Sequence, residues 1–557
     1  TAVAAALTAR GDVSWWERPA LLLAGAGGAE SGVRTTTDLA LAADIRLDEP
    51  EALARSLSLP LDADDATLLL HAYQRWGPEC VARLDGDFAF ALWDAREQRI
   101  VAARDRFGVR PLYYHVGPER FVAGTTPASV LAHPAVRRDR DEVRIALHLE
   151  GIVEERERTF WRAIRRLPPA HLLIADRDGV RLVRYWELAP ANAPPCRSDA
   201  EYAEAFRERF VAAVRRRLRG ERPVGSLLSG GLDSAGITCV ARAILGDEPL
   251  HTLSLVFPAI PACDESGYIA TVHRRGGFRP HFVDGAALSP LAALGEIVAA
   301  QGEPPFSINH YFHWRLYAVA AEAGVRLLLE GTDGDTTLSH GTEFLPYLVR
   351  EGRWQDALDE VRSLARRFGV PATRLVRTLL LKPLLPPAMQ RAWSWLRTRN
   401  RGGQRIDTLL RPDFARRIGL EECVAALDGG NGYRSPWHEH CQALQSGWFP
   451  AVLELHDRAT AAFGIESRYP FLDRELIEFC VALPREQRLQ WGWSRFVMRR
   501  GLDGFLPPEI QWRPDKTHLG GALMHSLSHH DGERLRALTQ GDLDPVAPYV
   551  DLALLRA

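Results

Sequence analysis

Six consecutive residues, Ser229-Gly230-Gly231-Leu232-Asp233-Ser234, put two glycines, two hydroxyls and a carboxylate at the end of an apolar run that begins at Val224. A helix-compatible segment follows. Glycines let backbone N–H groups close on an anion, and a helix start offers unpaired N–H donors and a partial positive charge. Ser229 and Ser234 can add hydroxyl donors. Asp233 is out of place beside a phosphate unless a cation stands between them, which points to Mg2+. The turn lacks the lysine that follows the second glycine of the Walker pattern, so it is a phosphate turn of another kind. A second acidic turn, Glu330-Gly331-Thr332-Asp333-Gly334-Asp335-Thr336, follows the apolar stretch from Val325 to Leu329. Parallel sheets hold ligands at the carboxyl ends of their strands, so Asp335 or Asp333 is expected to complete the Mg2+ site with Asp233.

These turns need elements to hold them. The chain has 557 residues, enough for two to four domains. Short aromatic-rich runs, Phe88 to Asp94 and Pro111 to Val116, read as strands, with an amphipathic helix over 65–77. This first part is expected to be α+β. A Pro/Ala-rich stretch, 187–199, reads as a linker. Beyond it, a long helix capped by Ser198 precedes strands that alternate with helices, the pattern of a parallel sheet covered on both faces. Residues 371–418 carry eleven Lys/Arg against Asp407 and Asp413, interleaved with Leu and Trp. Such a stretch is either a solvated helical face or a docking surface for an acidic peptide or partner.

The bulk numbers exclude several classes. A net charge of -2 gives no global field for nucleic acid or anionic membrane. No apolar run reaches the roughly 18 residues that span a bilayer. The seven scattered cysteines form no metal-ligand spacing and read as reduced, buried thiols. With no basic-then-apolar leader at the start, the cytoplasm is the expected compartment.

Taken in order, Leu227 to Ser234, Cys263-Asp264-Glu265-Ser266-Gly267-Tyr268, Leu327 to Asp335, Glu466 to Pro484 and Leu506 to Lys516 resemble the synthetase domain of the asparagine synthetase B-type family. Leu84 to Asp94 and Ala103 to Tyr114 resemble that family's amino-terminal glutaminase domain. The resemblance implies an α+β glutaminase-like sandwich of the Ntn type over 1–190, linker included. An α/β ATP-pyrophosphatase synthetase domain with a PP-loop and a parallel sheet would follow over 198–557, with 371–435 as a basic helical insertion. It implies ATP and Mg2+. Ser229, Gly230, Gly231, Asp233 and Ser234 would hold pyrophosphate, with Asp233 and Asp335 as metal ligands. Leu228, Ser254, Leu255, Val256 and Gly331 would line the adenosine pocket. Lys516, after Trp512-Arg513-Pro514-Asp515, would steady charge developing on the phosphates. Asp264 and Glu265 fall in a family motif with no derived role.

Three departures redirect the expectation. No cysteine precedes Cys80, and residues 34–60 carry no counterpart of the family's glutamine-binding run, so the first domain is expected to be a scaffold that makes no ammonia. Thr332 stands where the family has a glutamate suited to deprotonating ammonia. The basic 371–418 stretch is remodelled and can enclose a substrate larger than aspartate. The loop 330–341 resembles that of lasso-peptide macrocyclases, which join a ribosomal peptide's amino terminus to an Asp or Glu side chain. A precursor peptide, a leader-binding protein and a leader peptidase are then the expected partners, with no role for membrane or nucleic acid. A β-lactam synthetase-like cyclase and a glutamine-independent amide ligase are the related alternatives. A tRNA-modifying PP-loop enzyme and a non-catalytic nucleotide-binding scaffold are alternatives of other classes. The residue that removes the amine proton is left open among Glu303, Glu330 and His310.

Overall fold

The computed structural model describes residues 13–18, 21–26, 31–118, 120–385, 389, 409–427, 435–514, 517 and 519–556. In the first part the strands are β1 (Val13–Arg18), β2 (Leu21–Ala26), β3 (Ser31–Thr35), β4 (Leu39–Leu47), β5 (Gly86–Asp94), β6 (Arg99–Arg104), β7 (Tyr113–Gly117), β8 (Arg120–Gly124), β9 (Arg165–Arg166), β10 (His171–Asp176) and β11 (Gly179–Arg184). They form a β1–β2 hairpin, a six-stranded sheet in the order β11-β10-β6-β5-β4-β3 and a three-stranded sheet in the order β8-β7-β9. Strand β5 shows why. Its Phe88, Phe90 and Leu92 pack under the helix Asp65–Trp76, while Ala89 and Ala91 face the smaller sheet with Leu112 and Tyr114. Side chains alternate across a strand, so large residues fill the helix side and alanines let the two sheets approach. The α+β sandwich expected from the sequence is the fold observed.

No helix or strand occurs between β11 and the helix Asp199–Arg217, whose Ser198 cap accepts a hydrogen bond from the Glu201 N–H at 3.2 Å. The second part is built on β12 (Val224–Leu227), β13 (Leu250–Val256), β14 (Phe278–Asp284), β15 (Leu327–Leu329) and β16 (Glu466–Arg468). These five pair in parallel in the order β14-β13-β12-β15-β16. Burial on both faces accounts for their continuous apolar runs. Leu250, Leu327 and Leu329 pack against the helices Asp199–Arg217 and Leu232–Leu245, and Leu253 and Leu328 pack against His310–Glu322. Strand β16 was not anticipated, because its three residues, Glu-Ser-Arg, carry no apolar signal.

Within 371–435, Ala372–Leu384 is helical, with a π-turn over Val376–Leu381, and helices cover Pro412–Arg417 and Leu420–Leu427. Residues 386–388, 390–408 and 428–434 of that insertion lie outside the described residues. Among the described residues all seven cysteines are free thiols, and no helix is long and apolar enough to cross a membrane.

Buried charge joins the two parts. Glu454, on the helix Trp448–Ala462, accepts from the Tyr113 hydroxyl at 2.6 Å and pairs with Arg104 and Arg166, each at 2.9 Å. Glu303 pairs with Arg458 at 3.5 Å and accepts from the Phe160 N–H at 3.1 Å. Burial opposes the Glu454 charge, but the surrounding arginines hold its carboxyl down at about 2. A folded value below the usual 4.5 means that this ion stabilises the fold fully above about pH 4.5 and loses its effect as pH falls toward about 2. Replacing Glu454 by Ala strands two buried arginines, for an expected loss of about 3–5 kcal/mol, to be read from urea unfolding at neutral pH.

Candidate active site

The phosphate turn sits where β12 hands over to Leu232–Leu245. Gly230 has φ +77°, a left-handed conformation, and a Cβ there would stand 2.9 Å from that of Tyr268. Gly231 is the helix N-cap and supplies no side-chain cap, so the first-turn N–H groups stay available to an anion. The two serines close the turn on each other. Their hydroxyls are 3.0 Å apart, and the Ser229 N–H donates to Ser234 Oγ at 3.2 Å. Below, Ser226 Oγ and Thr238 Oγ1 lie 2.8 Å apart and tie strand to helix.

The second acidic turn arrives beside it through sheet register. Ser226 pairs with Leu329, so β12 and β15 end side by side. Contact between the turns is close enough that a Cβ on Gly334 would stand 2.9 Å from Asp233 Cγ, and Gly331 lies against the backbone of Ser234. Asp233 and Asp335 converge on one guanidinium. Arg495 Nη1 donates to the two Asp233 oxygens at 2.7 and 2.6 Å and pairs with Asp335 Oδ1. Burial disfavours the Arg495 charge, yet the two carboxylates hold its pKa above the ordinary value.

Two carboxylates from separate strand ends that meet on one cationic point are a donor set suited to a divalent metal. Of the two candidates, it is Asp335 that shares Arg495 with Asp233. Asp333 takes φ +59° and is turned toward Trp448, and burial pushes its carboxyl up to about 6. Ser254, at the end of β13, is 1% exposed, and its Oγ has no hydrogen-bond partner among the described residues. That orphaned hydroxyl beside Leu228, whose N–H donates to Leu253 O at 2.9 Å, fits a polar ligand edge at the expected nucleotide pocket.

Other motif residues position the turn. Asp264 accepts from the Phe257 N–H at 2.9 Å and the Ser266 hydroxyl at 2.5 Å, folding the loop after β13. Glu265 pairs with Arg513 at 2.6 Å, and Arg513 Nη1 donates to Gly230 O at 3.2 Å while its guanidinium lies 3.9 Å from the Tyr268 ring centre. Arg513 thus pins the phosphate turn and sets where the following segment begins; Lys516 itself lies outside the described residues. Arg495 and Arg513 were both missed in the sequence. The Trp-Arg-Pro-Asp-Lys run flagged the second, and nothing local flagged the first.

Thr332 Oγ1 lies 3.4 Å from Glu330 Oε2. Glu330 is 1% exposed and accepts from Ser467 Oγ at 2.5 Å and the Tyr317 hydroxyl at 3.1 Å. Burial opposes its charge, but His456, 3.1 Å away, and these donors keep it down at about 2. Of the three proton acceptors left open by the sequence, Glu303 is taken up by the domain interface, Glu330 opens the acidic loop but is held by Ser467, Tyr317 and His456, and His310 is buried beside His456.

The helical region touches this site. Glu360 accepts from the N–H groups of Trp491 and Gly492 at 3.0 and 2.9 Å, and Arg367 lies 3.4 Å from the Trp493 ring centre. It thereby grips the hairpin of β17 (Leu489–Gln490) and β18 (Trp493–Ser494), which leads into Arg495.

Residues 205–557 match the asparagine synthase family, and residues 57–186 match the glutamine amidotransferase domain. Asparagine synthetase [glutamine-hydrolyzing] 3 of Bacillus subtilis is 26% identical over 82% of this chain and 71% of its own length. Amidase chyE of Penicillium rubens is 33% identical over 82% of this chain and 72% of its own. Among solved structures, the glutamine phosphoribosylpyrophosphate amidotransferase from B. subtilis complexed with ADP and GMP aligns at TM-score 0.21 and 12% identity. That alignment covers 45% of this chain and 62% of the other, less than two thirds of its length. The chain belongs to the asparagine synthase family and is an ATP-dependent carbon–nitrogen ligase.

Two substitutions test the turn. Gly230→Ala forces a left-handed alanine against Tyr268, with an expected cost of about 1–2 kcal/mol and a matching fall in the thermal midpoint. Asp233→Asn is expected to leave the circular dichroism spectrum unchanged and to cut substrate-dependent pyrophosphate release at least about 100-fold.

Proposed function

We propose that this ligase is a macrocyclase for a ribosomal peptide: it activates an Asp or Glu side-chain carboxylate with ATP and joins it to the same peptide's amino terminus. The meeting of Asp233 and Asp335 beside the glycine turn carries the activation half of this reading. In it, the substrate carboxylate attacks the α-phosphate of ATP, pyrophosphate leaves, and the peptide amine then displaces AMP to give an isopeptide bond. The first-turn N–H groups at 232–234 orient the departing phosphates. Asp233 and Asp335 would hold Mg2+, which when bound neutralises phosphate charge. Lys516 is assigned to the same charge, with Arg513 fixing where its segment starts.

Two observations support ring closure over amidation by ammonia. Thr332 is a weak base, and holding both reacting ends in one molecule can contribute about 7–11 kcal/mol through proximity alone. The basic 371–418 stretch is the part of the chain that could enclose a substrate larger than aspartate, and the helix Trp354–Phe368 just before it clamps the hairpin that leads into Arg495. The expected partners remain a precursor peptide, a leader-binding protein and a leader peptidase. A second reading, amide formation with a separate amine donor, is favoured by the match of 57–186 to the glutamine amidotransferase domain and by relatives named asparagine synthetase and amidase.

Incubating the purified chain with magnesium ATP and synthetic peptides that carry a free amino terminus and an Asp or Glu several residues further on tests both. Macrocyclisation yields a protease-resistant product lighter by one water and one AMP per ring. A side-chain amide formed only with glutamine or ammonia would overturn ring closure and favour the second reading.

A further inference from the structure

Behind the acidic loop three histidines meet in the interior. The helix His310–Glu322 puts His310 and His313 one turn apart on the same face, and the helix Trp448–Ala462 brings in His456. One ring nitrogen from each lies within 4.8 Å of the other two. The rings stack loosely, with centres 5.1 to 6.2 Å apart. His310 and His456 are 2% and 6% exposed, and His310 Nε2 has no hydrogen-bond partner among the described residues. A buried polar atom left unpaired costs about 1–3 kcal/mol, so the arrangement calls for a ligand.

Glu330 supplies the independent observation. Its Oε2 stands 3.1 Å from His456 Nδ1, while Tyr317 and Ser467 hold its other oxygen. His456 Nδ1 itself has no hydrogen-bond partner among the described residues, so the carboxylate stands close to the ring without satisfying that nitrogen. Charge argues the same way. Among the described residues Glu330 has no lysine or arginine at ion-pair distance, and its neighbours are hydroxyls and imidazoles. A buried carboxylate of that kind needs a positive charge nearby, which either a protonated His456 or a cation bound by the histidines would supply.

We infer that His310, His313 and His456 form a site for one divalent transition metal of the zinc type, backed by Glu330 through His456 and with a fourth position open. Three neutral nitrogens without thiolate suit Zn2+, whose bonds of about 2.0–2.1 Å would require the nitrogens to close to roughly 3.4 Å of one another. The site is distinct from the Asp233–Asp335 pair and lies behind the loop that carries Thr332. It does not depend on which amine the ligase uses.

The test uses the untagged full chain, stripped with chelator and titrated with Co2+ alone in excess Mg2+, which occupies carboxylate sites. The expected result is about one Co2+ per chain with the intense visible bands of four-coordinate cobalt, displaced by equimolar Zn2+. His313→Ala and His456→Gln should each weaken binding at least tenfold, while His525→Ala, in a stacked pair far along the chain, should not. X-ray absorption of the zinc-loaded wild type reads the ligands without any variant and should show outer scattering from three imidazoles. No stoichiometric uptake, uptake unchanged by His313→Ala, or a first shell without three imidazoles would overturn the proposal.

Discussion

The pairing of Ser226 with Leu329 is the constraint on which the site depends. Parallel strands that start level and run three or four residues must end level, so the glycine turn after β12 and the acidic turn after β15 leave the sheet together. Two carboxylates then meet on one guanidinium, that of Arg495. A one-residue slip of β15 would turn Leu327 and Leu329 from one core to the other and carry Asp335 away from Asp233. Catalytic geometry and hydrophobic packing are therefore set by the same register.

The rest of the molecule serves to keep that edge of the sheet in place. Asp264 folds one loop, Arg513 ties another to Gly230, and the Glu360 clamp holds the hairpin before Arg495. The first domain is bound through ions as well as apolar packing, with Phe107 and Val109 clustered against Phe449 and Leu453. Arg110 meets Glu466, two residues from the strand-end Arg468, and Arg217 meets both Asp48 and Asp87. Buried pairs of this kind add little net stability but penalise any other docking, since separating them strands unpaired charge. The glutaminase-like domain is in this sense part of the scaffold of the ligase, joined to β16 and to the helix that bears His456.

Much of this was legible in the sequence because it rests on local rules. Short apolar runs alternating with helical segments marked the strands of the parallel sheet, Ser198 marked a helix start, and an aromatic-rich run marked β5. The 229–234 and 330–336 turns were readable because few backbones other than a phosphate turn need that mixture of glycine and carboxylate. What escaped depends on long-range meeting. Glu466-Ser467-Arg468 becomes a strand only because β15 offers it an edge. Arg495 sits in an ordinary basic stretch 262 residues from its partner Asp233. The three histidines lie on two helices whose polar residues, read singly, look like isolated core exceptions. Sequence spacing carries the site's turns but not the side chains that reach them from elsewhere.

The central claim is that a carboxylate oxygen of the substrate attacks the α-phosphate over the 229–234 turn. Labelling that carboxylate with oxygen-18 and collecting the nucleotide product tests it most directly. The account predicts AMP carrying one labelled oxygen for each amide formed. Label found in inorganic phosphate beside ADP, or AMP released without label, would contradict it.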